Sequence, residues 1–581
     1  MNIRVNFSGT EHRDAFADRF KLDIPAGVDH LDVPWHLLNH VKNDPNASDF
    51  SALDTATEHE FIVKGDLNTI SLHATVKQDL GMGFYLVSTT DGTTLSKNVE
   101  TIDINSQPMN FLDVSNITSM NGTPSSLDPL SSEGQWARIR VASRYRPLQT
   151  SFSVHEVNYK STPEFYVMDT GINFNHVEFD NPDLVKVNFY ALPVFNGDFS
   201  DDVGHGTSVT SMAVGKNIGV ASKAKVMNVK IGSSTHNATL IEVGMAIDAI
   251  LAEISANPNV SRVINMSWGI PRSGWLDAKV QSLLDAGATV ICAAGNSGIS
   301  VEDISPAGMD NVITVGAIDR YDIPAGFNNI SPSDSGLVTS AGLSLDIFAP
   351  GDEVLVAKGI TNNEYFVASG TSFACPLVAG VALEVCALNE TPCFYDFIKK
   401  TIIDTATEHA LLFEDDKFSE NQNRLVYLYT SDPLAMYKNS DMVSYLGIHT
   451  SDPTSTIIAD LNSALDIAHF KTIYPDDTVV YSIEWVDPAQ EPVYGSFLAV
   501  DPVTGVVTIS KPTVALPEET KLVMVKFIGV ATTSRVKIKT NTLFFFYNNP
   551  AYQDTLESDI TLALTDINSI SFFASWAGPL K

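Results

Sequence analysis

The sequence predicts an α/β protein built on a doubly wound, mostly parallel sheet. An N-terminal α+β or β domain and a C-terminal β-sandwich-like domain flank it. Three observations predict this. Short continuous apolar runs alternate with helical patterns from about residue 123 to 430, which is the signature of a parallel sheet covered on both faces. A Ser/Gly/Pro-rich stretch, SNITSMNGTPSSLDPLSSEG at 115–134, marks a boundary before it. After residue 476 the chain turns to closely spaced strand patterns separated by turn residues. A chain of 581 residues is also too long for one core, since single cores rarely exceed about 300 residues.

Residues 1–122 form the expected N-terminal domain, with strands at HEFIVK (59–64) and FYLVS (84–88). In the central domain, 123–430, strands are expected at 165–168, 226–231, 263–266, 289–293 and 312–315. Helices are expected at 208–214, 240–255 and 276–286. Residues 431–475 read as an irregular linker with one helical patch at 457–468. Residues 476–581 form the C-terminal β domain and tail, with VVYSIEW, GSFLAVD, GVVTISK, TKLVMVKFIG and TLFFFY as its strands. Within it DPVTGVVTIS (501–510) resembles cadherin- or immunoglobulin-like repeats.

The bulk numbers exclude several classes. Net charge is −33, and such a surface repels phosphate backbones, so nucleic acid is not an expected partner. No run of 18 uncharged apolar residues is present, so no membrane span is expected. The first thirty residues carry charge throughout and hold no apolar core of a signal peptide. A soluble location, cytoplasmic or virion-associated, is the expectation. Four cysteines are too few for a disulfide scaffold. They show no CxxC spacing, so no zinc site is expected; Cys386 and Cys393 could pair, but free thiols are the expectation for them, as for Cys292 and Cys375.

Three motifs carry chemistry. An apolar run, FYVM, ends in Asp169-Thr170-Gly171, which buries a carboxylate at a strand end and lets Gly171 turn the chain sharply. Gly204-His205-Gly206-Thr207 precedes small and apolar residues suited to a buried helix. Ser369-Gly370-Thr371-Ser372 precedes an apolar helical face, so Ser372 sits at a helix start, with Pro376 expected in the first turn. A serine hydroxyl needs a base within reach, and the base needs an orienting acid. The chain order Asp, His, Ser separates this constellation from two other serine hydrolase orders.

These residues resemble the subtilisin-like serine proteases, and within them the proteinase K branch. The resemblance covers about 136–430 and is carried by DTGINFNHVEF (169–179), GHGTSVTSMAVGKNIGVASKAKVMNVKI (204–231), NMSWG (265–269), AAGNSG (293–298), LDIFAPG (345–351) and SGTSFACPLVAG (369–380). It implies a serine endopeptidase with Asp169, His205 and Ser372 as triad and Asn296 as a side-chain donor in the oxyanion hole. It also implies that Ser267-Trp268-Gly269 and Ala293-Ala294-Gly295 are edge strands that pair with an extended peptide. Phe373 and Trp268 are expected to shape an apolar pocket. No cofactor is required for the chemistry. Asp346 with the carbonyls of Asp310 and Val312 is a candidate structural calcium site, although calcium takes six to eight oxygens and Asp346 also reads as a structural carboxylate. Ser208 and Leu377 stand where the family often has histidine.

Other readings remain at this level. A two-loop aspartic protease would pair Asp169-Thr170-Gly171 with Asp334-Ser335-Gly336, but Asp334 follows no apolar strand. A structural or binding protein that keeps the fold without proteolysis, such as a virus-particle component, is the second functional reading. Protein assembly would then run through the N- and C-terminal domains. The N-terminal region reads either as an inhibitory pro-domain, cut near 115–134, or as a docking domain.

Overall fold

The computed structural model describes residues 2–105, 110–111, 125–143, 159–325, 345–411, 423–428 and parts of 446–548, with short breaks inside these ranges. The candidate loop at Asp334 lies outside the described residues, as do 112–124 of the expected linker region and the tail after 548.

The central domain is built on a nine-stranded sheet. In spatial order its strands are Leu184–Ala191, Ala224–Lys230, Glu164–Asp169, Arg262–Met266, Thr289–Ala293, Ile313–Ile318, Ile347–Pro350, Arg424–Leu425 and Thr407–Glu408. Every pairing is parallel except the last. The doubly wound expectation therefore holds, and its reason is visible in the strand Glu164–Asp169. Successive side chains point to opposite faces. Phe165 and Val167 enter one core with the helices His205–Val214 and Thr371–Ala387. Tyr166 and Met168 enter the other, with the helices Leu240–Ala256 and Gly274–Asp285. A run apolar at every position is what two covered faces require.

The N-terminal region is α+β. Its first sheet runs His30–Pro34, Asn2–Phe7, Ala47–Ala52, all antiparallel. Its second part follows the order β-α-β-β-α-β, from His59–Lys64 to Thr101–Ile104. The sheet order there is Thr75–Gly81, Phe84–Thr89, His59–Lys64, Thr101–Ile104. Phe61 and Val63 share a core with Ile3, Val5 and Val33 of the first sheet. Ile62, pointing the other way, joins the second core of the central domain.

Two C-terminal expectations need correction. Residues 431–475 are not all linker, because Leu446–His449 and Ser455–Asp460 are strands that pair with later ones. The start of the supposed helical patch at 457–468 lies in the second of these strands, while 461–468 fall outside the described residues. Thr456, Ile457 and Ile458 form a β-branched run, which favours a strand over a helix.

The histidine helix begins against the exit of the Asp169 strand. A Cβ at Gly206 would lie 2.2 Å from the Gly171 carbonyl oxygen and 3.1 Å from the Asp169 Cβ. No side chain fits there without moving backbone. Gly206→Ala is expected to cost at least about 3 kcal/mol, read as a lowered melting temperature and denaturation midpoint. A variant as stable as the parent would show that this contact is looser than described.

Candidate active site

Asp169 is the last residue of a central strand and is fully buried. Its Oδ1 accepts from the Thr170 N–H at 2.8 Å and lies 2.7 Å from Nδ1 of His205. His205 is the first residue of its helix. Ligand sites of open α/β sheets lie beyond the carboxyl ends of the strands, and this pair sits there.

A second carboxylate holds the two elements together. Asp201 is buried, and its Oδ1 accepts from the Thr170 hydroxyl and the Gly204 N–H, both at 2.8 Å. Its Oδ2 accepts from the Thr207 N–H at 2.8 Å and the Thr207 hydroxyl at 2.6 Å. The Thr170 hydroxyl also accepts from the Gly206 N–H at 2.9 Å. Burial pushes the Asp201 carboxyl up, against these bonds, which favour its charged form. Beside it the buried ammonium of Lys230 donates to the carbonyls of Thr170 and Ser200 at 2.6 and 2.5 Å. The Ser208 hydroxyl lies 2.8 and 2.7 Å from the carbonyl oxygens of Gly204 and Ala357 and has one hydrogen to share between them.

Ser372 is the second residue of the helix Thr371–Ala387. Pro376 is the sixth, so it lies beyond the first turn, which corrects the expectation. Its missing N–H is the one that would have bonded the Ser372 carbonyl. That carbonyl accepts from Ser267 Oγ at 2.9 Å instead, and Ser372 Oγ donates to the Ser267 carbonyl at 3.1 Å. The neighbouring Phe373 ring lies 5.9 Å from the His205 ring. Asn296 is fastened to the same helix start. Its Oδ1 accepts from the N–H and hydroxyl of Thr371, each at 2.9 Å.

Two expectations about substrate contacts change. Phe373 and Trp268 are both fully buried. The Trp268 indole N–H donates to the Met168 carbonyl at 2.8 Å. In this form, with Asn110–Phe111 seated on the Trp268 strand, both side chains pack beneath the site. Ala293 belongs to an interior strand, opposite Val315. The Ala294 and Gly295 N–H groups are spent on the Val315 carbonyl at 2.9 Å and on Thr371 Oγ1 at 3.1 Å. That stretch therefore offers no N–H of Ala294 or Gly295 to an added strand. The strand Trp268–Pro271, which continues from Ser267, does receive an extended segment: the chain's own Asn110–Phe111, antiparallel, with Trp268 opposite Phe111 and Gly269 opposite Asn110. In this form Asp169, His205 and Ser372 are all buried.

The candidate calcium ligands converge, but on a different cation. Lys399 Nζ lies 2.8 Å from Asp346 Oδ1, 3.0 Å from the Val312 carbonyl and 3.3 Å from the Asp310 carbonyl. The metal reading of these three oxygens is corrected accordingly. Among the described residues no group of three or more His, Cys, Asp or Glu could hold a metal ion. The four cysteines are free thiols and buried.

The N-terminal region is docked on the helices behind the site. The Asn105 carbonyl and Oδ1 accept from the N–H groups of Leu240 and Ile241 at 3.2 and 3.3 Å. Asp103 Oδ2 accepts from Ser273 Oγ at 2.8 Å and the Trp275 N–H at 3.4 Å. Both sets satisfy N–H groups that a helix start leaves without intrahelical partners. Arg19 Nε donates to Asp303 Oδ2 at 2.8 Å. Burial pushes the Asp103 carboxyl up to about 7, helped by the nearby Asp277 charge. Burial likewise lifts Asp277 to about 6, although Arg272 beside it pulls the other way.

Sequence reasoning does not single out Asp201, Thr170, Thr371, Lys230 or Lys399. Asp201 had a signal, since it stands four residues before His205 in DDVGHGT. Lys399 had none, because its partners are 53 or more positions away.

Residues 166–426 match the model of the Subtilase family. It is 34% identical over 255 residues to "Subtilisin-like protease 3" of Pseudogymnoascus destructans, covering 42% of this chain and 58% of that protein. It is 34% identical over 250 residues to a "Cuticle-degrading serine protease" of Arthrobotrys oligospora, covering 43% and 58%. The chain thus spans a little under three fifths of the length of these curated relatives. A solved structure of a cold adapted subtilisin-like serine proteinase is 29% identical, with a TM-score of 0.43, over 52% of this chain and all of that one. Among the described residues no helix is long and apolar enough to cross a membrane.

The geometry around Asp201 and Asp103 can be tested by stability. Asp201→Ala strips four hydrogen bonds from buried donors, each costing about 1–3 kcal/mol when left unmade. It should lower the melting temperature by several degrees, and an unchanged melting curve would refute the linking role. The Asp103 carboxyl, raised when docked, favours the docked state fully below about pH 4 and loses that contribution as pH rises through about 7. The melting temperature of the full chain should therefore fall from pH 5 to pH 8, and Asp103→Asn should flatten part of that slope. An Asp103→Asn variant with the parental slope would exclude the effect.

Proposed function

We propose that the chain is a serine endopeptidase that hydrolyses peptide bonds with Ser372 as nucleophile, His205 as general base, Asp169 as its orienting acid and Asn296 as oxyanion donor. The observation that carries this reading is the 2.7 Å contact between His205 Nδ1 and the buried Asp169. It fixes the tautomer with the proton on Nδ1 and leaves Nε2 as the basic nitrogen. Nε2 takes the Ser372 proton as the hydroxyl oxygen attacks the scissile carbonyl, and returns it to the leaving amine. Asn296 turns its oxygen to Thr371, so its amide hydrogens are the donors it offers to the oxyanion, beside the Ser372 N–H. The chemistry uses only the chain's own residues.

Substrate would bind as an added strand on Trp268–Pro271, by main-chain hydrogen bonds. Asn110–Phe111 now takes that place, and the triad is buried. Both observations support an inhibitory pro-domain as the role of the N-terminal region, in preference to a docking domain. The chain beyond Phe111 enters the Ser/Gly/Pro-rich stretch, a suitable place for a cut. The extra sheet at residues 2–52 and the C-terminal strands exceed what inhibition needs, and are assigned to protein assembly.

Ser372→Ala should reduce peptide hydrolysis by about 10⁶ in kcat, a magnitude known from subtilisin itself, and should remain full length on incubation. The active parent should lose its N-terminal region by a cut after Phe111. Intact masses of the two proteins, taken beside a peptide-hydrolysis assay, decide both points. An alanine variant with parental turnover refutes the triad. A parent that hydrolyses peptides while staying full length refutes the pro-domain.

A further inference from the structure

The cluster at Lys399 has the form of a cation site. Two main-chain carbonyls, from Asp310 and Val312, and one carboxylate oxygen, from Asp346, face a common point. No backbone N–H is spent on these three contacts. The other Asp346 oxygen accepts from the Thr314 N–H at 3.0 Å, which fixes the carboxylate. Thr314 is in the strand Ile313–Ile318, which ties the cluster to the central sheet.

An ammonium has three donors and no acceptor. Here it meets three oxygens, at 2.8, 3.0 and 3.3 Å. These are hydrogen-bond lengths, well beyond the roughly 2.3–2.6 Å at which calcium holds its six to eight oxygens. Three protein oxygens also fall short of calcium's six to eight, so water entering the space left by the lysine would have to supply the rest. A divalent ion among the same oxygens would sit almost on the ammonium, with two like charges in contact. The delivery of Lys399 is itself fixed. Its helix, Tyr395–Thr405, buries Ile398 and Ile402 in the first core. Tyr395, one turn earlier on the same face, carries the ammonium over its ring at 5.6 Å from the centroid and brings its hydroxyl within 3.4 Å of both carbonyls.

We propose that Lys399 is a built-in substitute for a bound divalent cation, and that removing its side chain uncovers an oxygen site which takes calcium. A bound ion stabilises a fold in proportion to the logarithm of its free concentration. A cation tethered to the chain removes that dependence, so the stability of the parent should not respond to calcium at this position.

The test uses the full chain carrying Ser372→Ala, to prevent self-cleavage, with and without Lys399→Ala. Melting temperatures are taken in EDTA and in millimolar calcium. The Lys399 parent should melt at the same temperature in both. Lys399→Ala should melt lower than the parent in EDTA and recover several degrees in calcium, and adding Asp346→Asn should abolish the recovery. If the alanine variant folds only when produced in calcium, that supports the proposal equally. If it folds in neither condition, Lys399→Gln, which keeps the length and removes the charge, is judged by the same criterion. A calcium shift in the parent that Asp346→Asn removes would overturn the proposal. So would a folded alanine or glutamine variant indifferent to calcium.

Discussion

The site depends on how one strand end is held to one helix start. Asp169 closes a strand and His205 opens a helix, and a contact of 2.7 Å between them tolerates little play. Asp201 supplies the fastening, by grasping Thr170 on the strand side and Gly204 and Thr207 on the helix side. A buried carboxylate is costly unless its oxygens are satisfied, and four donors satisfy this one. The absence of a side chain at Gly206 then lets the backbones meet. Ser372 is fixed to the same frame by a different device, in which the proline in its helix releases a carbonyl to Ser267.

The distribution of cations follows from their scarcity. The chain has 36 Lys and Arg against 69 Asp and Glu. Several of the cations are nonetheless buried at structural junctions. Arg262 and Lys225 hold Glu164 at the start of the central strand. Arg140 holds Asp322 at 2.7 Å in the interior. Lys230 draws together the carbonyls that follow Asp169 and precede Asp201. Each of these positive charges organises oxygens, and acids such as Glu164, Asp201 and Asp322 are buried with them. The fold thereby places its costly groups where a missing partner would do the most damage.

Much of this was legible in the sequence, for a physical reason. The central strands are mostly apolar on both faces because both faces are covered, so 289–293 reads as a strand. Leu184–Ala191 does not read as one because it is the outermost strand, and Lys186 and Asn188 break the run. The triad was legible because each member sits beside the glycine or helix start that its geometry needs. Phe373 and Trp268 are harder to read, since an aromatic residue beside such a motif suits a pocket wall and a buried floor equally well, and both are buried in this form. Lys399 was out of reach because its partners come from a turn and from the residue before a strand, far away in the chain, and no local pattern encodes that meeting.

The pairing of Asn110–Phe111 with Trp268–Gly269 has a further consequence. Because both segments belong to one chain, the occupant of that strand edge is present at an effective concentration on the order of millimolar. Dilution does not weaken that occupancy. A break in the connecting chain would turn the same contacts into an ordinary equilibrium between two molecules, governed by their affinity and by how far they are diluted. One covalent event would thus convert a concentration-independent closure into a concentration-dependent one, with no new contact formed or lost at the moment of cutting.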